Sequence, residues 1–202
     1  MSTVEERKIK KGFYSLFIKR LFDIIISLFS IIIFSPIFIV VYLLVLVDSG
    51  KYVIFKQVRV GKNKKRFKIY KFRTMVIDAD KIGSTSTMSG DKRITKIGCI
   101  LRRTSLDELP QLFNVLKGDM SIIGPRPDVP ESMSLFTEEH IEKRMGVRPG
   151  ITGLAQVNGR SNLSLEDRVY YDEKYCENIS FKYDINIIFL TVNKIIKKEG
   201  TN

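Results

Sequence analysis

Ile24-Ile-Ile-Ser-Leu-Phe-Ser-Ile-Ile-Ile-Phe-Ser-Pro-Ile-Phe-Ile-Val-Val-Tyr-Leu-Leu-Val-Leu-Val47 contains no charged residue and carries Ser35-Pro36 near its middle. As one straight helix these residues would rise about 36 Å, against a hydrocarbon core of roughly 30 Å. A single membrane crossing is therefore allowed by length. Pro36 lacks an amide hydrogen and crowds the carbonyl of residue 32, so a kink is expected there. Lipid tolerates such a kink where Ser35 or neighbouring protein satisfies the freed backbone groups.

Charge flanks the segment on both sides. Arg7, Lys8, Lys10, Lys11, Lys19 and Arg20 precede it, and Lys51, Lys56, Arg59, Lys62, Lys64, Lys65, Arg66 and Lys68 follow. Basic flanks belong on the cytoplasmic side. A re-entrant helix-kink-helix puts both there, whereas a single crossing does not, so the flanks favour re-entry while hydropathy still permits a span. A cleaved signal peptide is disfavoured, because its apolar stretch runs only roughly 7–15 residues before a small-residue cleavage site. The sequence thus divides into residues 1–50, a basic start plus membrane helix, and residues 51–202, a part at the membrane surface from which any chemistry has to be read. The expected class is α+β, with a small helix-and-strand core and amphipathic helices at the interface.

The 202 residues carry a net charge of +12, which favours anionic partners: nucleic acid, anionic lipid or phosphorylated small molecules. Cys99, Cys176 and the single histidine, His140, lack the spacing of a zinc site or a disulfide scaffold. Arg66 to Met75 interleaves Phe67, Tyr70 and Phe72 with bases, as a single-strand stacking surface does. Nucleic-acid binding leaves the long apolar segment unexplained, and half-buried strands produce the same mixture. That reading is set aside.

Residues 52–60, Gly61 to Lys65 and Arg66 to Met75 read as strand, turn and strand. Asp78 to Asp91 is polar and Ser/Thr-rich, a loop. A helix is expected from Ser105 to Leu116, opened by a Ser105-x-x-Glu108 capping box and ended by Lys117-Gly118-Asp119. Thr137 to Met145 and Leu165 to Tyr175 read as further helices. Val147 to Arg160, with its glycines, suits backbone threading around a polar ligand. Ile185, Ile188, Phe189, Val192, Ile195 and Ile196 recur at helical spacing, on a helix that either lies in the membrane interface or packs on the core.

Asp107-Glu108 is the pair that could do chemistry. Acids in a helix's first turn are stabilised by its dipole, so the pair alone decides nothing. Lys71, Arg73, Arg102, Arg126, Arg148 and Arg160 lie in separate segments that a compact fold could gather. Carboxylates with several guanidinium groups suit a magnesium-bound diphosphate. Walker and Rossmann glycine patterns are absent.

Lys71-Phe-Arg-Thr-Met75, Leu101 to Pro127 (with Asp-Glu-Leu-Pro and Gly-Pro-Arg-Pro) and Arg148-Pro-Gly-Ile-Thr-Gly-Leu-Ala-Gln-Val-Asn-Gly-Arg160 resemble the bacterial sugar transferases of capsule, exopolysaccharide, O-antigen and glycan assembly. These are the monotopic polyprenyl-phosphate phosphoglycosyl transferases, and the likeness runs from about Lys19 to Lys194, as a minimal catalytic unit. The resemblance implies transfer of a sugar 1-phosphate from a UDP-sugar to undecaprenyl phosphate, with release of UMP, at the cytoplasmic face of the bacterial inner membrane. It implies Asp107 as the nucleophile and a covalent phosphosugar intermediate. Glu108 would assist a required Mg2+ ion or the acceptor's deprotonation. Arg126 and Arg102, then Arg148 and Arg160, would clamp phosphate; Lys71 and Arg73 would orient Asp107 or bind a headgroup. Asp172 is a weaker metal or substrate candidate. The family's Ser-Pro break falls on Ser35-Pro36 and strengthens the re-entrant reading, and Lys19-Arg20 would anchor at the headgroups. Where many relatives have Gly-Pro after the serine, this chain has Gly50-Lys51, which touches the loop's rigidity rather than the chemistry. Glycosyltransferases of the same glycan pathway are candidate partners. The alternative reading is a noncatalytic membrane scaffold with the same fold. The sequence names neither the sugar nor the oligomeric state.

Overall fold

The computed structural model describes residues 14–82, 90–159 and 163–197. A π-helical turn, Tyr14–Ile18, leads into α1 (Lys19–Ile33), which breaks at Phe34 and continues as α2 (Ser35–Ser49). The two helices are bent by 65°. Each has 15 residues, or about 22 Å of rise, and no single described helix is long and apolar enough to cross a membrane. The expected kink is present with its expected remedy: Pro36 opens the second helix, and Ser35 Oγ donates to the Ile32 carbonyl at 2.8 Å. That carbonyl is the one the proline crowds. α2 is apolar all round, and Ile39, Leu43, Leu44 and Val47 are exposed.

The expected hairpin forms with somewhat shorter strands, β1 (Ile54–Val60) antiparallel to β2 (Arg66–Phe72), pairing Phe55 with Lys71 and Arg59 with Phe67. After α3 (Ala79–Ile82), α4 (Lys96–Thr104) is a helix the sequence reading missed. Thr95 caps it by accepting from the Gly98 amide at 2.9 Å. A Cβ on Gly98 would lie 2.1 Å from the Thr74 carbonyl oxygen, so glycine is what lets α4 cross the end of β2. Residues 83–89 of the expected polar loop lie outside the described residues.

The helix expected from Ser105 to Leu116 is not continuous. Ser105 takes a left-handed conformation (φ 57) and makes no side-chain cap, Leu106–Glu108 is a single 3-10 turn, and α5 (Gln111–Lys117) starts only after Pro110. The capping box therefore does not form. Pro110 lacks the amide that a continuous helix would use, and Glu108 finds better partners in two cations. Gly118, at φ 91, ends α5 as the sequence indicated.

A second, parallel pair joins β3 (Ser121–Ile123) to β4 (Gly150–Thr152), with α6 (Glu138–Met145) between them. α7 (Leu154–Asn158), α8 (Leu165–Glu177) and α9 (Phe181–Lys197) follow. Two of the three glycines of the 147–160 stretch, Gly150 and Gly153, permit a close chain crossing. A Cβ on Gly150 or Gly153 would meet Gly124 backbone at 2.1 Å. Ile123, Leu154, Tyr175 and Ile187 form one core under α7–α9, and Val41, Val45, Phe72 and Leu101 form another joining α2 to the hairpin and α4.

α1 is keyed into this body. Asp23 accepts hydrogen bonds from Ser121 Oγ and the Ile122 amide, both 3.0 Å. Arg20 donates to the Val115 and Leu116 carbonyls at the C-terminal end of α5, where helix carbonyls lack intrahelical partners. Lys19 pairs with Asp184 of α9 at 2.8 Å, and Tyr14 and Tyr175 donate to the same carboxylate. The basic pair expected at headgroups is thus spent inside the protein, where buried acceptors offer more than water-exposed phosphates. α9 packs on the core along one face and leaves an apolar strip exposed along its second half. Asp184 and Ile187 are buried in the core, while Phe189, Leu190, Val192, Ile195 and Ile196 are exposed.

Candidate active site

The 3-10 turn is the centre of the site. Because Ser105 turns the chain out of α4 and Pro110 starts α5 afresh, Asp107 and Glu108 sit between two helices, over the end of β2. From β2, Lys71 Nζ donates to Glu108 Oε1 at 2.7 Å and stands 4.0 Å from Asp107 Oδ2. Arg126 Nη2 reaches the same Glu108 oxygen at 2.9 Å. Arg102, in the last turn of α4, donates from Nε to Thr74 Oγ1 at 2.8 Å and adds positive field at Asp107.

The two carboxylates differ in electrostatics. Burial pushes the Asp107 carboxyl above its ordinary range, only partly offset by Lys71. Burial acts on Glu108 in the same sense, but Arg126 and Lys71 win, and they hold it well below the usual range. Arg126 is raised in turn by Glu108. The side chain of Arg126 is 43% exposed against 11% for Asp107, so Arg126 forms the open rim of the site and Asp107 its floor.

The Gly-Pro-Arg-Pro turn holds Arg126 through its carbonyls. Gly124 hydrogen-bonds Thr152 across the β3–β4 crossing, Arg144 donates to the Arg126 carbonyl, and Arg59 Nη1 donates to the Pro127 carbonyl at 3.1 Å. Asp128 next to it binds Arg144 and Arg168, with the Phe136 ring beneath both guanidinium groups.

Three of the six cations singled out from sequence are elsewhere or undescribed. Arg73 donates from Nε to the Tyr52 carbonyl at 2.7 Å. Arg148 donates to the Gly118 carbonyl at 2.9 Å, beside Arg20 at the end of α5. Arg160 lies outside the described residues. Lys71, Arg102 and Arg126 are the ones brought to Asp107. Asp172 is buried in α8 beside Arg144 Nε at 3.0 Å, within the Asp128 cluster.

The residues present fit a magnesium ion. No described residue donates a hydrogen bond to Asp107, and Glu108 uses only Oε1. No set of three His, Cys, Asp or Glu that could hold a metal occurs among the described residues. Such a donor set suits an ion that takes one or two carboxylates and completes its shell with water and substrate phosphate.

The family described as bacterial sugar transferase matches residues 14–198. The chain belongs to that family. It is similar to the uncharacterized sugar transferase EpsL of Bacillus subtilis, 44% identical over 91% of this chain and 89% of that one. It is 39% identical to the undecaprenyl-phosphate galactose phosphotransferase of Salmonella typhimurium, covering 92% of this chain but 42% of that protein. It is 40% identical to the UDP-N-acetylgalactosamine-undecaprenyl-phosphate N-acetylgalactosaminephosphotransferase of Aeromonas hydrophila, over 91% and 45%. The chain thus spans nearly all of one relative and less than half of the other two.

In this sugar transferase the sequence reading passed over two residues that build the site. Arg59 was counted only as membrane-flanking charge. Strand alternation puts it on the same hairpin face as Lys71, and burial beside Arg126 pushes its guanidinium down to about 10. Thr74, between the Arg73 and Met75 of a quoted motif, aims Arg102. Hydroxyl-to-guanidinium aim has no periodic signal in sequence.

Proposed function

We propose that this chain transfers a sugar 1-phosphate from a UDP-sugar to undecaprenyl phosphate, and so starts glycan assembly at the cytoplasmic face of a bacterial inner membrane. The observation that carries the reading is a buried carboxylate, Asp107, with no hydrogen-bond donor among the described residues and three cations around it. The names of the Salmonella and Aeromonas relatives support the acceptor and donor classes.

An oxygen of Asp107 attacks the sugar-side phosphorus of the donor. The bond from that phosphorus to the bridging oxygen breaks, and UMP leaves with the oxygen. The resulting acyl phosphate carries the sugar. A phosphate oxygen of undecaprenyl phosphate then attacks the same phosphorus, the acyl–phosphorus bond breaks, and Asp107 returns as a carboxylate with undecaprenyl-diphosphate-sugar formed. Arg126 at the rim and Arg102 at the floor stabilise charge on the phosphoryl oxygens. Lys71 and Arg126 keep Glu108 ionised, so that it can accept the acceptor's proton or offer Oε2 to a metal. A magnesium ion held by Glu108 and Asp107 would supply further neutralisation of the diphosphate.

The α1–α2 pair is read as entering and leaving one leaflet. Two legs of about 22 Å, bent by 65°, are each shorter than the roughly 30 Å core, which supports a re-entrant path. A water-soluble donor and a lipid-borne acceptor then share one carboxylate at the interface.

The deciding measurement is UMP release from a panel of UDP-sugars by detergent-solubilised protein with undecaprenyl phosphate and magnesium. Wild type is expected to turn over one donor, and donor alone should leave a sugar phosphate on the peptide containing Asp107. Asp107→Asn should abolish both. Normal turnover by that variant, or no release from any donor, sinks the proposal.

A further inference from the structure

Between α2, the outer face of the hairpin and α5 lies an open groove of about 600 Å³. Its walls are apolar, with Phe38, Ile39 and Leu43 from α2, Phe72 from β2 and Phe113 from α5. Its polar end is small and of one sign. Lys117 Nζ donates to Tyr70 Oη at 2.5 Å and stands 4.4 Å above the same ring, and Lys56 Nζ stands 5.7 Å from it. Both ammonium groups are exposed, and neither has a carboxylate partner among the described residues. Two exposed ammonium groups around one aromatic ring, without a carboxylate between them among the described residues, favour an anion there. An apolar trough ending in two such cations is complementary to an amphiphile with a phosphate head.

The groove is not the reaction site. Cross-strand pairing puts Lys56 and Tyr70 on the hairpin face opposite Lys71. Lys117 is the last residue of α5 and Pro110 precedes its first, so the cationic end is about 10 Å of helix away from the Asp107 end. A head seated at Lys56 and Lys117 is therefore held away from the nucleophile. Its chain would lie along α2 toward Phe38, the residue nearer the kink.

We propose that this groove binds one anionic phospholipid of the surrounding bilayer, the phosphate between Lys56 and Lys117 and an acyl chain against Phe38, Ile39, Leu43 and Phe113. The proposal rests on the membrane-associated reading of α2, not on the identity of the reaction. The lipid would brace α2 against α5 and fix the hairpin that carries Lys71.

The test reconstitutes the full chain in phosphatidylcholine nanodiscs titrated with phosphatidylglycerol, and reads bound lipid by native mass spectrometry after release into detergent. Wild type is expected to retain phosphatidylglycerol in preference to phosphatidylcholine. Lys56→Gln with Lys117→Gln should weaken that retention by roughly 25-fold, from about fivefold for each lysine near a lipid surface. Leu43→Trp, which fills the trough, should lower retention of both lipids. Lys92→Gln with Lys96→Gln removes equal charge from another surface and should leave retention unchanged. Equal retention of the two lipids, or an equal loss in the Lys92/Lys96 control, overturns the proposal. So does displacement of phosphatidylglycerol by undecaprenyl phosphate at equimolar level, which would make the groove an acceptor site. Retention of glycerol phosphate without an acyl chain would also overturn it. UMP release is scored separately, so loss of lipid selectivity with turnover intact fails this inference alone.

Discussion

Asp107 and Glu108 are adjacent in the chain, yet their surroundings drive their acidities apart. Glu108 shares one oxygen between Lys71 and Arg126 and stays ionised, whereas Asp107 is buried with no hydrogen-bond donor among the described residues. A nucleophile must be a carboxylate, so turnover should fall on acidification well before an ordinary aspartate, near 3.9, would titrate. A pH–kcat/KM profile checks this, and an acid limb at the ordinary aspartate value would argue against Asp107. Thr74→Val frees the Arg102 side chain that Thr74 now holds at 2.8 Å. It should cost about 1 kcal/mol of transition-state stabilisation, roughly fivefold in kcat, with the melting temperature little changed. Asp172 gives a linkage prediction. Burial, partly offset by Arg144, raises it to about 6, above its ordinary 3.8. The folded chain therefore binds more protons than the unfolded one between those values, and this group's contribution to stability is lost as pH rises through that window. Asp172→Asn should flatten that slope in thermal melts taken across it.

At the scale of elements, the kink and the hairpin were legible and the helix over the site was not. Ser35-Pro36 has a local mechanism, a missing amide beside a hydroxyl that caps the freed carbonyl, so its position can be read directly. β1 and β2 announce themselves by β-branched and aromatic residues on either side of a Gly-Lys-Asn turn. The segment from Ser105 to Leu116 misled because its apolar spacing continues across Pro110 while its backbone does not; periodicity reports a buried face, not an unbroken axis. α4 was hidden because it is only nine residues long and its core face rests on little more than Ile97 and Leu101, and its close approach to β2 depends on Gly98 against Thr74. Asn114 had no signal at all. It bridges the free edge of β2, accepting from the Tyr70 amide at 2.9 Å and donating to the Lys68 carbonyl at 2.8 Å. Asn114→Ala should cost about 1–3 kcal/mol in denaturant unfolding, because two partly buried backbone groups lose their partner. For the membrane element, single cysteines at Lys11 and Lys51 in a Cys99→Ser background should label from the same side in intact spheroplasts. Pro36→Ala, by permitting one continuous helix of about 46 Å over Lys19–Ser49, should raise the share of opposite-side labelling. Opposite-side labelling of the wild-type pair contradicts the re-entrant path.

At the scale of the molecule, the apolar helix and the catalytic body are one mechanical unit. Lys19, Arg20 and Asp23 each end on a different element, α9, α5 and β3. Asp184 collects Tyr14, Lys19 and Tyr175, and Asp184→Ala would leave the Lys19 ammonium buried without its partner. A loss of about 3–5 kcal/mol is expected on unfolding in detergent, with a smaller loss for Asp184→Asn. The 65° bend between α1 and α2 has a consequence for the bilayer itself. On a re-entrant path the two legs add cross-section to one leaflet and none to the other, and the keyed α1 prevents them from folding flat. The protein is then a wedge, and each copy stores an area mismatch that a convex leaflet relieves. Small vesicles should recruit it in preference to large ones at equal lipid, so that curvature would help decide where in the cell it gathers.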